Sequence, residues 1–270
     1  MPAPEDDLAL LVDAARSAGS IAMGYFRNAP EKWDKPDNAG PVTAADYAVD
    51  SMLRETLTAA RPGTGWLSEE TEDDPARLQA REVFIVDPID GTRAFIAGET
   101  SWAHSLALAR DGKVVAGVVY LPAADLLYTA TEAGAAVLNG SPIRVSPARG
   151  VSGARTLSAA RFLKPDLWPG GAPPVERHFR PSLAWRLALV AEGRFDAMLT
   201  LGDTWEWDIA AGCLIAERAG ARITDRDGTE LRFNNAHPVT PGVIAAGPDL
   251  QAQLMAYRTS AGRAEPAGNV

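Results

Sequence analysis

A single cysteine, Cys213, cannot close an intrachain disulfide, and so low a cysteine content fits a reducing cytoplasm. Nowhere do 18 or more apolar residues follow one another, which excludes a transmembrane helix. The first seven residues, Met-Pro-Ala-Pro-Glu-Asp-Asp, hold neither a basic nor an apolar region, so no typical signal peptide is expected. Positive charge is also scarce: 26 Lys and Arg stand against 35 Asp and Glu, a net charge of −9. Phosphate backbones are gripped by basic surface, so nucleic acid is not expected as a nonspecific partner. A small phosphate ester stays open, provided that local cations invert the field. The three histidines, His104, His178 and His237, have no metal-ligand spacing among them and read as structural. No Ser-His-Asp arrangement and no phosphate loop occurs, so neither a covalent serine mechanism nor a nucleoside triphosphate grip is supported.

What the chain does have is enough apolar side chain for a core. Of its 270 residues 46% are hydrophobic and 23% charged, ordinary for one large domain or two closely packed subdomains. Leu8, Leu11, Val12, Ala15, Ala18, Ala22, Tyr25 and Phe26 recur at helical spacing, with Pro4 and the acids Glu5 to Asp7 at the N-terminal end. Residues 28–42 hold three prolines and read as a loop. A second helix is expected from Thr43 to about Arg61, ended by Pro62-Gly63, and then a short strand at 65–68. Segments 105–109 and 114–120, joined by Asp111-Gly112, read as a hairpin; 126–130 and 135–138 extend it, with Asn139-Gly140 as a further turn. The first half therefore reads as α+β, with helices on one side of an antiparallel sheet. The turn-rich stretch 147–153 marks a border between an N-terminal subdomain, 1–148, and a C-terminal one, 149–270. In the latter, strands at 156–159, 196–201 and 243–246 alternate with helices, an α/β pattern. Those helices run over 183–192, over a segment marked by Ile209, Cys213 and Ala216 and ended by Gly220, and over 248–260. The last ten residues, 261–270, read as a frayed tail.

The chemistry concentrates in Val83 to Phe95, Val-Phe-Ile-Val-Asp-Pro-Ile-Asp-Gly-Thr-Arg-Ala-Phe. Val83 to Val86 is an apolar run rich in β-branched residues, suited to a strand buried on both faces. Pro88 has no N–H for a ladder, so pairing is expected to stop there and the chain to turn. Asp87 then stands at the strand's end, and Asp90 can return to the same side of the turn. Gly91 lets the backbone approach a ligand closely, and the N–H groups of Gly91 and Thr92 are free to bind an anion. Two carboxylates beside such donors suit a hard cation and a phosphate together. The plain alternative is an ordinary Asp-Pro turn with solvated aspartates.

Three further segments carry acids. Asp46 lies three residues after Thr43, a spacing that a helix capping box alone would explain. Glu69 opens a Glu-Glu pair after Ser68, and such pairs usually belong to solvated loops. Asp208, in Trp207-Asp208-Ile209-Ala210-Ala211-Gly212, opens a helix, where an Asp is commonly just a cap. The small residues behind it let that helix pack close to a sheet.

Taken in order, these segments resemble the inositol monophosphatase superfamily of metal-dependent phosphomonoesterases. The likeness runs from about Lys35 to Gly220, and the Trp207-Asp208 motif follows the first by about 120 residues. The resemblance implies a layered α-β-α-β-α sandwich and a site for two or three Mg²⁺ ions that Li⁺ inhibits. One ion would be held by Glu69, Asp87 and the Ile89 carbonyl, a second by Asp87, Asp90 and Asp208. With Glu69 the resemblance counts Thr92 and Asp46 as catalytic, the pair that orients the attacking water. Gly91 and Thr92 N–H groups would bind phosphate oxygens, and Lys35 would belong to a mobile loop that closes over the site. Glu70 would stand behind the ligands. An oxygen-only ligand set favours Mg²⁺ over Zn²⁺. A homodimer is also implied.

Signals for the substrate divide. Ser68-Glu69-Glu70 and the Gly-x-Thr-x-x-Trp-Asp of Gly202 to Asp208 resemble the 3′(2′),5′-bisphosphate nucleotidases. Arg186 falls where these place a Lys, and a cation suits a second phosphate. Inositol monophosphatases carry an acid a few positions before their Trp-Asp, where this chain has Thr200 or Leu201, although Asp203 or Glu206 could still serve a polyol. Asp87 to Phe95 also resembles histidinol-phosphate phosphatases. The expected substrate is 3′-phosphoadenosine 5′-phosphate, converted to AMP, with inositol 1-phosphate second and histidinol phosphate third. A regulatory binding protein that keeps the fold without turnover is the competing class, and the complete set of acids argues against it.

Overall fold

The computed structural model describes residues 4–35 and 40–259, so the tail read at 261–270 and Ser260 lie outside the described residues. The chain opens with helix α1 (Pro4–Tyr25), followed by strands β1 (Lys32–Asp34) and β2 (Pro41–Thr43). These two strands pair antiparallel, Lys32 opposite Thr43, so part of the stretch read as a loop is a small ribbon. Its prolines hid it: Pro41 can begin a strand because that position has no ladder bond to give up. Helix α2 (Ala44–Ala60) starts at Thr43, whose hydroxyl accepts from the Ala45 N–H while Asp46 accepts from the Thr43 N–H.

Seven strands then build one sheet: β3 (Gly65–Ser68), β4 (Glu82–Asp90), β5 (Ala103–Arg110), β6 (Lys113–Leu121), β7 (Leu126–Thr131), β8 (Val137–Leu138) and β9 (Ser141–Pro142), in that spatial order. Only β3 and β4 are parallel; the other neighbours run antiparallel. Asp111 and Gly112, like Asn139 and Gly140, both take positive φ, the backbone that two-residue hairpins need. Short helix α3 (Thr92–Ile96) sits between β4 and β5.

The second half adds β10 (Arg155–Leu157), β11 (Glu176–His178), α4 (Leu183–Ala191), β12 (Ala197–Thr200), β13 (Thr204–Trp205), α5 (Glu206–Arg218), β14 (Arg222–Thr224), β15 (Val239–Thr240), β16 (Val243–Ala246) and α6 (Pro248–Thr259). Five of these strands form a mixed sheet in the order β11-β10-β12-β16-β14, and β13 pairs with β15 beside it. Strands β11, β13, β14 and β15 span two or three residues each, too short for an alternating pattern to show in the sequence.

Alternation along the strands sorts the core into layers. Phe84 and Val86 of β4 pack with Leu11, Val49 and Leu53 of α1 and α2, while Val83 and Ile85 pack on the other face against α4 and α5. In β16, Val243 and Ala245 face that same α4–α5 layer, and Ile244 and Ala246 face Leu250 and Leu254 of α6. The result is an α-β-α-β-α sandwich, as expected. Helices on one side of the first sheet were too few, however, because α4 and α5 fold back and cover its other face.

Small residues set the closeness of that middle layer. A Cβ at Gly212 of α5 would lie 2.7 Å from Leu187 Cβ and 3.2 Å from the Ala184 carbonyl oxygen, both on α4. Gly212→Val is therefore expected to destabilise the fold by about 1–3 kcal/mol through overpacking. Urea unfolding measures it, and an unchanged midpoint would show that the two helices part freely.

Candidate active site

The site begins with an irregularity in β4. Pairing does not stop at Pro88: Asp87 lies opposite Ser105 and Asp90 opposite Ala103, so β4 spends one more residue than β5 over the same span. That β-bulge is where the missing N–H of Pro88 is tolerated. The groups it displaces find partners. The Ile89 N–H donates to Asp87 Oδ1 at 3.0 Å, and the Pro88 carbonyl lies against His104 Nδ1. Side chains three apart on a regular strand point to opposite faces; the extra residue brings Asp87 and Asp90 to the same cavity. Gly91 follows at φ 101°, a left-handed conformation where a Cβ would press on the Ser101 carbonyl oxygen at 3.3 Å. No side chain caps the helix that starts there, and its first N–H groups have no partner within the helix.

Asp46 divides its two oxygens between the roles the sequence left open. Oδ2 accepts the Thr43 N–H at 2.8 Å and the Thr43 hydroxyl at 2.6 Å, completing the capping box. Oδ1 lies 3.4 Å from Thr92 Oγ1, which also reaches the Ile89 carbonyl at 3.2 Å. Burial pushes the Asp46 carboxyl up to about 6 against the lowering effect of the Thr43 bonds. Lys35 Nζ donates to Glu69 Oε1 at 2.8 Å and to Glu70 Oε1 at 2.6 Å. Burial works against the ammonium, but the two carboxylates outweigh it and raise its pKa. Burial and the Glu69 charge push Glu70 up to about 7. Asp50 braces this turn from below, accepting from the Ser68 and Thr71 hydroxyls at 2.5 Å each.

Asp208 comes from the first turn of α5, whose start is tied to the sheet by the Ser105 hydroxyl on the Trp207 carbonyl at 2.9 Å. Asp90 Oδ2 accepts from the Ser182 hydroxyl and the Ala184 N–H, both at 2.6 Å, at the N-terminus of α4. Oxygens of Asp87, Asp90 and Asp208 all lie within 4.8 Å of one another. Such crowding is unfavourable without a cation or a proton. Burial and then the charges of Glu69, Asp90 and Asp208 push Asp87 well above the carboxylate range, and burial and Asp90 do the same to Asp208. Asp90 rises to about 6, chiefly through burial, which its hydrogen bonds oppose. Three hard anionic oxygens in one place fit Mg²⁺. With Glu69, Gly91 and Thr92 they line a cavity of about 390 Å³ that Gly40, Pro41, Arg93, Ala94, Glu99, Phe179 and Pro181 complete.

Other expected residues lie elsewhere. Arg186 is buried outside the cavity lining, donating to the Arg180 carbonyl at 2.5 Å and the Pro181 carbonyl at 3.4 Å. Glu206 is fully buried and accepts from the Asn234 and Asn235 N–H groups at 2.6 and 2.9 Å. Asp203 pairs with Arg226 at 3.6 Å. No histidine lines the cavity: His104 backs the bulge, His178 meets Glu176, and the ring of His237 stands edge-on to Trp205. Ser182 was not foreseen in the site. A Ser before the apolar run 183–191 signals a helix cap, but nothing local connects it to Asp90.

In fold the chain is similar to the extragenic suppressor protein suhB of Bartonella henselae, with a TM-score of 0.80 and 29% identity over 94% of this chain and 98% of that one. A solved IMPase of Thermotoga maritima is similar to the same degree, with a TM-score of 0.80 and 26% identity over 94% of this chain and 96% of that one. In sequence, residues 4–263 match the inositol monophosphatase family, and the chain belongs to it. It is 33% identical over 263 residues to a 3′-phosphoadenosine 5′-phosphate phosphatase of Mycobacterium leprae, covering 92% of both chains. An inositol-1-monophosphatase of Rhizobium meliloti is 37% identical over 255 residues, 89% of this chain and 91% of that one. The protein is therefore a phosphatase of this family, and no helix among the described residues is long and apolar enough to cross a membrane.

Proposed function

We propose that the protein hydrolyses a small phosphate monoester with Mg²⁺ held by Glu69, Asp87, Asp90, Asp208 and the Ile89 carbonyl, and that 3′-phosphoadenosine 5′-phosphate is its preferred substrate. The convergence of Asp87, Asp90 and Asp208 in one cavity with Thr92 carries the hydrolytic reading. Bound there, Mg²⁺ would polarise water and offset charge on the phosphoryl and leaving oxygens. The chain's own part is to position and to take a proton. Gly91 and Thr92 N–H groups hold phosphoryl oxygens, and Thr92 Oγ1 orients the water. Asp46 Oδ1 accepts the proton relayed through that hydroxyl, which it can do above about pH 6, where it is ionised. The water oxygen bonds to phosphorus as the phosphorus–ester oxygen bond breaks, and the ester oxygen leaves with that electron pair and takes up a proton from solvent water. Lys35 closes the Glu69 side.

Two observations favour the bisphosphate. Neither Glu206 nor Asp203, the acids nearest the Trp-Asp motif, lines the cavity, and Glu206 is held by the N–H groups of Asn234 and Asn235. Among the described residues that line the cavity, the cation is Arg93, suited to a second phosphate. The M. leprae relative supports this reading, while the R. meliloti relative keeps inositol 1-phosphate as the second. The test is kcat/KM for both esters and for histidinol phosphate, with and without Mg²⁺. A clear preference for inositol 1-phosphate overturns the substrate, and no phosphate release from any ester overturns the hydrolysis. Li⁺ is expected to inhibit by competing with Mg²⁺.

The acid cluster also sets a pH dependence. Folded-state pKa values of Asp87, Asp90 and Asp208 are raised, so their protonated forms favour the metal-free fold. That contribution is full below the unfolded carboxylate pKa and is lost as pH rises through the folded values, about 6 for Asp90. Mg²⁺ takes the place of those protons. It is expected to raise Tm at about pH 7.5, by the equivalent of about 2.7 kcal/mol at a hundredfold excess over Kd, and to raise it less at about pH 5. Equal shifts at both pH values would remove the cluster as the binding site.

A further inference from the structure

On the cavity wall stands Phe179, 47% exposed although it is a large apolar side chain. Exposed aromatics cost hydrophobic free energy, and this ring is nonetheless held in place. The Arg186 guanidinium lies over it, 4.4 Å from the ring centroid. Arg186 itself is only 6% exposed and cannot wander, because its Nε donates to the Arg180 carbonyl and its Nη2 to the Pro181 carbonyl. The two residues after Phe179 are thus tied by the same side chain that covers the ring. Ser182, next in line, is fixed by Asp90, and Pro181 lines the cavity too. A buried, planar cation under one face leaves a ring presented to the cavity on a stiff mount.

We propose that Phe179 is the stacking platform for the purine base of a nucleotide substrate and that Arg186 is its positioning residue. The proposal rests on the nucleotide reading above and deepens it. A phosphoryl group bound at Gly91 and Thr92 and a base on Phe179 would occupy the same 390 Å³ cavity. Every base has a π-face, and aromatic stacking discriminates a nucleotide from a phosphorylated polyol without any hydrogen bond to the base. Arg186 then acts through the ring it supports and has no need to touch a second phosphate.

The experiment compares two pairs of ligands. AMP and ribose 5-phosphate differ by the base, and their Kd values by calorimetry need no turnover. The wild type is expected to bind AMP about tenfold to a hundredfold more tightly. Phe179→Ala should erase that ratio, and Phe179→Tyr should keep it. Thermal melting checks that both variants fold. The ratio of kcat/KM for 3′-phosphoadenosine 5′-phosphate over inositol 1-phosphate should fall in parallel. Arg186→Lys retains the charge but not the planar face and paired donors, so it should lower both ratios; a charge acting on phosphate would leave them intact. Equal binding of AMP and ribose 5-phosphate by the wild type, or a ratio unmoved by Phe179→Ala, overturns the platform. A base-dependent binding ratio without catalytic preference for the bisphosphate would instead overturn the substrate assignment and leave the platform standing.

Discussion

Asp90→Asn is expected to lower phosphate release by at least about a hundredfold, as for loss of a major electrostatic group. Its Oδ2 accepts from the Ser182 hydroxyl and the Ala184 N–H, which fixes the carboxylate plane. In the variant the amide oxygen is drawn to those two donors, and the amide NH₂ must face Asp87 and Asp208. A donor then stands where a cation is to be held. Folding should not suffer: Asp90 contributes to the repulsion that raises Asp87 and Asp208, so its neutralisation relieves the metal-free cluster near neutral pH. The expected pair of results is a melting temperature at or above the wild type and a collapse of turnover at saturating Mg²⁺. Near-normal turnover would remove Asp90 from the reaction.

Thr92→Ala should cost turnover roughly 10²–10⁴-fold, the range for a positioned proton-transfer group. The hydroxyl sits between the Ile89 carbonyl and Asp46 Oδ1, so removing it disconnects the water from the acid that takes its proton. Mg²⁺ should still raise the melting temperature, because no carboxylate has been lost, and Thr92→Ser should keep much of the rate. Lost Mg²⁺ stabilisation with normal turnover at saturating Mg²⁺ would make Thr92 a structural residue that merely holds the Ile89 carbonyl.

Much of the architecture could be read from local pattern. The helical spacing in 8–26, the apolar run 83–86 and the Asp-Gly and Asn-Gly turns each depend on residues close in sequence, and each became the element expected. Proline misled twice for one reason. Its missing N–H argues against a ladder, yet a bulge at Pro88 and a strand start at Pro41 are the places where no bond is asked of it. In the site, the short spacing from Asp87 to Thr92 was open to sequence reasoning. Ser182 on Asp90 was not, since the two lie 92 residues apart, and nothing local marks Phe179 as part of the cavity wall.

Residue types and spacings alone determined the periodic elements and which acids could work together in an oxygen-only site. They could not assign the neighbours of any one acid. Asp208 and Glu206 stand two apart at the start of α5, both carboxylates beside a Trp. Positions two apart on a helix do not share a face. One therefore meets Asp87 and Asp90, while the other is buried under the N–H groups of Asn234 and Asn235. Only the packing of α5 between two sheets decided which was which. Arg186 shows the same limit: its place in the chain suggested a phosphate, and in the fold its Nε and Nη2 donate to the carbonyls of residues 180 and 181 while the side chain lies outside the cavity lining. Charge and spacing are properties of the sequence, but what a side chain faces depends on chain segments that only the tertiary fold brings to it.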